Sequence, residues 1–460
     1  MRPANILLIH VDQHRFDCVG VNGYPAAHTP HLDRLAAEGV NFTHAFCPIA
    51  VCMPARTSLM TGCYATQHGC LVNDGVEGYR PAHGELPTLS RMLKQAGYWL
   101  GHVGKWGIGL DATPAALGFD VYVPASAYRA WRSGQGLPPP PRTNTWFGEV
   151  DDGITASQSA PAWGADHVIR LLAQAAGRGQ PFFIRWDPEE PHLPSIVPEP
   201  FASLVKPDDV RPWPSFPDAL LDKPIIQRQQ LYSWGLDGWE WSHWAPVVAR
   251  YLGVVSLIDS QVGRILAALD ELGLTEETLV VYTSDHGDLC GAHGMLDKHY
   301  VMYDDVMRVP LLLRWPGRLP VGHVEDAFAT AALDLATTFC VAAGVDVPPT
   351  FQGFNLVSLA NGAPAPRMQV FGSYHGAQFG AYSQRMVRTR KWKYIWNATA
   401  EDELYCLTED AGELHNLAAD RTCAEILGRL RGDLMAWMAQ THDPLLNEWT
   451  RRQLLAGAKI

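Results

Sequence analysis

Residues 52–62 read Cys52-Met53-Pro54-Ala55-Arg56-Thr57-Ser58-Leu59-Met60-Thr61-Gly62. Pro54 suits the first turn of a helix, where the missing N–H has no intrahelical partner to lose. Gly62 suits the position just past a helix end, which favours the left-handed conformation. The spacing predicts a short helix with Cys52 at its N-terminus, where free N–H groups favour an anion. Arg56, one turn on, adds a forked positive group. A nucleophile beside an oxyanion site fits these residues, and so does a small buried cysteine at an ordinary helix start. Two other cysteine chemistries fail on spacing. A Cys-x5-Arg phosphate loop would need Arg where Ser58 stands, and Cys63 and Cys70 do not lie at zinc-site gaps from Cys52.

Working outward, two apolar runs far apart in the chain each end in an acid. Leu7-Leu8-Ile9-His10-Val11 leads into Asp12-Gln13, and Val280-Val281-Tyr282-Thr283-Ser284 leads into Asp285-His286-Gly287-Asp288. In a doubly wound sheet, ligands gather beyond the carboxyl ends of the strands. Both acids then belong on one edge. Asp12, Gln13, Asp285 and His286 offer three oxygens and one nitrogen to a divalent cation. A mixed set of this kind suits Mn or Mg, or Ca where a carboxylate binds bidentately. Polar strand ends are common, so either pair alone is weak; with the Cys52 stretch they form a specific pattern.

The 460-residue chain is 47% hydrophobic and 18% charged, enough apolar surface for a sizeable core. Its net charge is −12 and it has no long basic run, which argues against a general nucleic-acid partner. The run from Ile6 to Val11 is short and lacks a small-residue cleavage site, so it reads as a strand rather than a signal peptide. No apolar run approaches the ~20 residues of a membrane span. Nine cysteines without pattern suit a reducing compartment, and the cytoplasm is the expected location.

Along the chain, strands are expected at 5–11, 98–103, 181–186, 279–283 and 309–313, with helices at 29–38, 87–96, 162–176 and 246–272. Residues 134–143 are Gly- and Pro-rich and read as a loop. Residues 201–244, rich in Pro and Trp, read as a long irregular surface excursion. Its Trp234, Trp239, Trp241 and Trp244 either line a pocket or pack the excursion itself. After a composition shift near 344–349, short strands at 369–372, 386–390, 393–396 and 403–406 precede a terminal helix at 423–439. The expected fold is α/β. A large mixed, mostly parallel sheet flanked by helices occupies 1–345, and a smaller α+β domain of antiparallel sheet plus terminal helix occupies 346–460.

The Cys52-x-Pro54-Ala55-Arg56 stretch followed by Thr61-Gly62 resembles the signature of the type I sulfatases, in the alkaline phosphatase superfamily. Met53 departs from the small or polar residue usual there. The resemblance extends over nearly the whole chain apart from 201–244. Asp12-Gln13 and Asp285-His286 fall on the family's two metal pairs, and Lys298 falls on the lysine of its Ser-Asp-His-Gly…His-Gly…Lys block. Gly104-Lys105-Trp106 resembles its Gly-Lys-Trp segment. The histidine expected two residues after Lys105 is Gly107 here, and His102 is the residue expected to stand in for it. Glu190-Pro191-His192-Leu193-Pro194 resembles the Pro-His-x-Pro segment, whose His approaches the leaving group, and Asn73 matches a position that hydrogen-bonds the anion. Taken singly, Lys105 and Lys298 would read as solvated lysines and His192 as a turn residue.

The resemblance implies an alkaline phosphatase-like fold and metal-dependent hydrolysis of a sulfate ester by a formylglycine made from Cys52. Its cofactor is one divalent cation (Ca or Mn, with Mg also compatible). Arg56, Lys105 and Lys298 would balance charge on the anion, and His192 would serve the leaving oxygen. The implied partners are a small anionic ester and a formylglycine-generating enzyme, with no nucleic acid and no membrane; a homo-oligomer is compatible. Two other readings are a phosphonate monoester or phosphodiester hydrolase of the same superfamily, which Gln13 also suits, and a non-catalytic sulfatase-like binding protein.

Overall fold

The computed structural model describes residues 3–141, 146–376 and 380–457. Met1, Arg2 and the last two residues of the 134–143 loop lie outside them. The main sheet has eight strands: β1 (Asn5–Val11), β2 (Val40–Phe42), β3 (Trp99–Gly104), β4 (Val121–Pro124), β5 (Phe182–Asp187), β6 (Thr278–Ser284), β7 (Leu311–Arg314) and β8 (His323–Glu325). Their spatial order is β8-β2-β7-β6-β1-β5-β3-β4. All pairings are parallel except those of β7, which runs antiparallel to β6 and β2. This is the expected mixed, mostly parallel α/β sheet.

The helices named below are α1 (Pro30–Ala37), α2 (Cys52–Thr61), α3 (Leu89–Gln95), α4 (Ala160–Ala176), α5 (Ile225–Trp234), α6 (Trp241–Glu271), α7 (Ala331–Ala343), α8 (Ala424–Gln440) and α9 (Glu448–Ala456). Strand β1 is buried at all seven positions because helices cover both faces of the sheet. Leu7, Ile9 and Val11 meet Val254, Leu257 and Ile258 of α6 and Val168 and Leu172 of α4. Ile6 and Leu8 point the other way, into a core shared with Leu59 and Met60 of α2 and Leu335 and Phe339 of α7.

Helix α6 begins at Trp241, earlier than the expected start at Pro246. Glu240 and His243 form a capping box there, with the Glu240 N–H donating to His243 Nδ1 at 3.1 Å. Pro246 therefore lies inside the helix. By length and composition α6 is long and apolar enough to cross a bilayer, against the expectation that no such segment exists, yet 78% of its most apolar window is buried in the fold, as in the core helix of a globular protein. Its apolar face is the cover of the sheet.

The 201–244 segment is also more structured than its composition suggests. It contains α5, and Trp213 and Trp244 are buried. Trp213 Nε1 donates to the Cys290 carbonyl at 2.8 Å, and the Arg15 guanidinium lies 3.9 Å from its ring centroid. Trp234, Trp239, Trp241 and Trp244 pack with Phe147, Phe216 and Leu296. This packing is what orders the segment.

The C-terminal sheet is an antiparallel meander of β9 (Gln369–Gly376), β10 (Tyr382–Thr389), β11 (Trp392–Asn397) and β12 (Glu403–Cys406). Leu430, Leu434 and Trp437 of α8 cover it through Val387, Tyr394 and Trp396. Met386, Ile395 and Tyr405 face the other way and join the main core. Helix α9 was not foreseen. It buries only Thr450 and Leu454, too few apolar positions for periodicity to reveal, and is started by Asn447, which accepts from the Thr450 N–H at 3.1 Å.

One glycine fixes the carboxyl edge. Gly104 closes β3 with φ +111°, and a Cβ there would lie 2.0 Å from the Asp187 carbonyl oxygen at the end of β5. The next N–H, of Lys105, donates to that same oxygen at 2.7 Å. Gly104→Ala is expected to cost at least ~2 kcal/mol in stability by forcing these strand ends apart. Denaturant unfolding checks this; an unchanged midpoint would contradict the close approach.

Candidate active site

Three parallel strands deliver acids to one edge. Asp12 follows β1, Asp285 follows β6, and Asp187 ends β5; Val11 pairs with Ser284, and β1 pairs with β5 on its other side. Helix α2 meets this edge with its N-terminus. Val51 is extended, Cys52 is the first helical residue, and Gly62 ends the helix at φ 65°. Asn73 Oδ1 accepts from the Met53 N–H at 2.9 Å, so it satisfies one of the helix's free donors.

Arg56 joins the three acids. Its Nε donates to Asp285 at 2.9 Å, Nη1 to Asp187 at 2.6 Å and Nη2 to Asp12 at 3.2 Å, all fully buried. Gly107 makes room for this arginine: φ is +48°, and a Cβ would lie 3.0 Å from Arg56 Cδ. Asp187 also pairs with the Arg185 guanidinium and lies 3.2 Å from His10 Nδ1 and 3.4 Å from His102 Nε2. Burial alone would raise the Asp187 carboxyl, but Arg185, His102 and His10 hold it well below the usual carboxylate range.

Cys52 sits at the centre. Its Sγ is 3.3 Å from His286 Nε2 and 3.6 Å from Asp12 Oδ1. Burial and the Asp12 charge raise the thiol pKa, but Lys298, Lys105 and His286 outweigh them and hold it well below the ordinary value. Lys105 Nζ donates to Asp12 Oδ2 at 2.6 Å. Lys298 Nζ donates to Gln13 Oε1 at 2.9 Å and contacts His192 Nε2 at 3.0 Å. Both lysines, which taken singly would read as solvated, are drawn inward, Lys298 to full burial. His192 Nδ1 is taken up by the Leu193 carbonyl at 2.7 Å, which leaves Nε2 toward the site. Burial and Lys298 lower the His192 pKa, while Asp12 and Cys52 raise it and prevail.

The donor chemistry fits a divalent cation. One ligand atom each from Asp12, Cys52, Asp285 and His286 lies within 4.8 Å of the others, and all four residues are buried. His286 Nδ1 donates to the Gly287 carbonyl at 2.8 Å, leaving Nε2 as the inward atom. Burial lowers the His286 pKa, but Asp285 and Cys52 bring it up to about 9, a mark of concentrated negative charge. Gln13 differs from the expectation of an open ligand. Besides holding Lys298, its Nε2 donates to Asp288 at 2.8 Å and Asp297 at 3.1 Å, and its backbone (φ 67°) donates to Asp285 at 3.1 Å.

His102 is not in the cleft, as expected of a substrate contact. It is fully buried behind the wall, among the rings of Trp106, Phe119 and Tyr122, with Nε2 donating to the Lys105 carbonyl at 3.0 Å. Burial pushes its pKa down to about 3. Asp187, Arg185 and His10 were missed. The signal available is a third strand-like run, Phe182-Phe183-Ile184-Arg185-Trp186, that leads into an acid, Asp187.

The cleft outside Cys52 has a volume of about 860 Å³. Cys52 is buried at its inner end, Asn73, Tyr79, Lys105, Trp106 and Leu110 are half-buried along it, and Asp74 and Asp111 are exposed at its outer edge. A hollow of about 900 Å³ between Phe351 and Trp437 contains none of the site residues.

Comparison with known proteins agrees with this geometry. The profile of the Sulfatase family matches residues 4–345, and one described as N-sulphoglucosamine sulphohydrolase, C-terminal, matches 291–440. The chain is 28% identical to an uncharacterized sulfatase of Escherichia coli, over 98% of this chain and 90% of that protein. It is also 28% identical to an arylsulfatase of Clostridium perfringens, over 94% and 93%. Among solved structures, a phosphonate monoester hydrolase of Agrobacterium radiobacter superposes with a TM-score of 0.85 at 26% identity, over 96% of both chains. By a match across most of its length, on a fold of the alkaline phosphatase-like superfamily, the chain belongs to the sulfatase family.

Proposed function

We propose that this enzyme hydrolyses a sulfate ester at residue 52, after Cys52 is converted to formylglycine, with a divalent cation held by Asp12, Asp285 and His286. The observation that carries the reading is the placement of Cys52. Its sulfur lies at a helix N-terminus, within 3.6 Å of both Asp12 and His286, and Lys105 and Lys298 flank it.

The formylglycine aldehyde, by adding one water, would supply the hydroxyl of its hydrate as nucleophile in place of a thiol. The cation supplies Lewis-acid activation and charge for the developing oxyanion. The remaining work falls to the chain. Lys105 and Lys298 take the non-bridging oxygens of the ester, where preorganised positive charge is worth most as negative charge grows. Arg56, already divided among three carboxylates, keeps Asp12 and Asp285 ionised and in place. His192, with Nδ1 tied to Leu193, moves a proton at Nε2 to the leaving oxygen, with the Lys298 ammonium beside it. Asn73 holds the first turn of α2 and so the position of residue 52. The maturation partner is a formylglycine-generating enzyme.

The phosphonate monoester reading is favoured by one observation, the 26% identical neighbour whose fold superposes over nearly the whole chain. Relative kcat/KM on phenyl sulfate and on a phenyl phosphonate monoester separates the two readings, and sulfate is expected to prevail.

Cys52→Ala is expected to lower aryl sulfate turnover by at least ~10³-fold while leaving the unfolding midpoint within ~1 kcal/mol of the parent. Undiminished turnover in this variant would overturn the reading. Chelator treatment is expected to lower both activity and Tm, because a ligand of the folded state stabilises it. Returning Mn or Ca should restore both, and the better of the two identifies the cation; indifference of both properties to chelation would remove the cation from the account.

A further inference from the structure

We propose that Asp74 and Asp111 make the cleft selective for sulfate esters whose alcohol carries no second negative charge. The inference rests on the sulfate ester reading above and concerns the outer part of the same cleft. Both carboxylates are exposed and line it. Among the described residues neither is paired with a cation. They reach the same ring: the Tyr79 hydroxyl, raised first by its own burial and by Cys70, is raised further by Asp74 and Asp111.

Lys105 is the only lysine or arginine among the described residues that line the cleft, and its ammonium already donates to Asp12 at 2.6 Å. Lys298, beside Cys52 and His192, lies outside this lining, so the positive groups at residue 52 are taken by the transferred sulfate and none is left along the cleft for a second anion. A second sulfate or carboxylate on the alcohol would meet two like charges and no positive partner. Discrimination of this kind works by an unpaired charge set against the wrong ligand. It acts over several ångströms through partly screened solvent. An uncharged ring or chain meets Tyr79, Trp106 and Leu110 instead, surfaces that favour apolar contact.

The test compares two substrates and two proteins. The substrates are 4-nitrophenyl sulfate and a ring-carboxylated aryl sulfate; the proteins are the parent and Asp74→Asn/Asp111→Asn. The expected result is that the parent's ratio of kcat/KM, neutral over carboxylated, falls about tenfold in the double variant, with the change in KM for the carboxylated ester. The parent's ratio is also expected to shrink with added salt, as screening predicts. An equal ratio in the two proteins would overturn the proposal and leave the sulfatase reading standing. Failure of the parent on both esters would overturn the sulfatase reading and the proposal with it.

Discussion

One buried guanidinium holds the site together. Arg56 is bonded to Asp12, Asp187 and Asp285, the acids at the ends of three neighbouring parallel strands. Placing so much charge in a protein interior is costly, and it is tolerated only when every charge finds a partner. Here Arg185 supplies the second cation that Asp187 needs, and Lys105 the second that Asp12 needs. The arrangement ties α2 to the sheet edge at a fixed depth. Cys52, one turn before Arg56, has little freedom to sit anywhere but between Asp12 and His286.

Several local features follow from that bond set. Gly107 has no side chain because the Arg56 stem passes beside it, and Gly104 has none because the Asp187 backbone does. Gln13 is turned into the left-handed region, which lets its amide bridge Lys298, Asp288 and Asp297. Lys298 is thereby presented to Cys52 and His192. The outer cleft is built differently, with aromatic and aliphatic groups and exposed carboxylates.

Much of this was legible in the chain. The helix at Cys52 is marked by Pro54 and Gly62, and the strands leading to Asp12 and Asp285 are apolar runs that end abruptly. Their convergence follows from parallel-sheet topology alone. What escaped was set by tertiary partners. Asp187 lies one residue past the 181–186 run, which Arg185 already interrupts, so polarity there does not single it out. His102 looked available on a strand end, but three aromatic rings close over it. The 201–244 segment seemed irregular because its order comes from burying Trp213 and Trp244 against distant residues, which no local periodicity records. The start of α6 and the existence of α9 depended on caps, Glu240 with His243 and Asn447, rather than on apolar spacing.

The chemical state of residue 52 decides which reaction the site can carry out. Mass spectrometry of the peptide carrying Cys52, taken from protein that turns over a sulfate ester, measures it directly. The predicted result is an aldehyde in place of the thiol, seen as loss of the elements of hydrogen sulfide and gain of one oxygen. Fully active protein in which Cys52 is entirely unmodified thiol would contradict it.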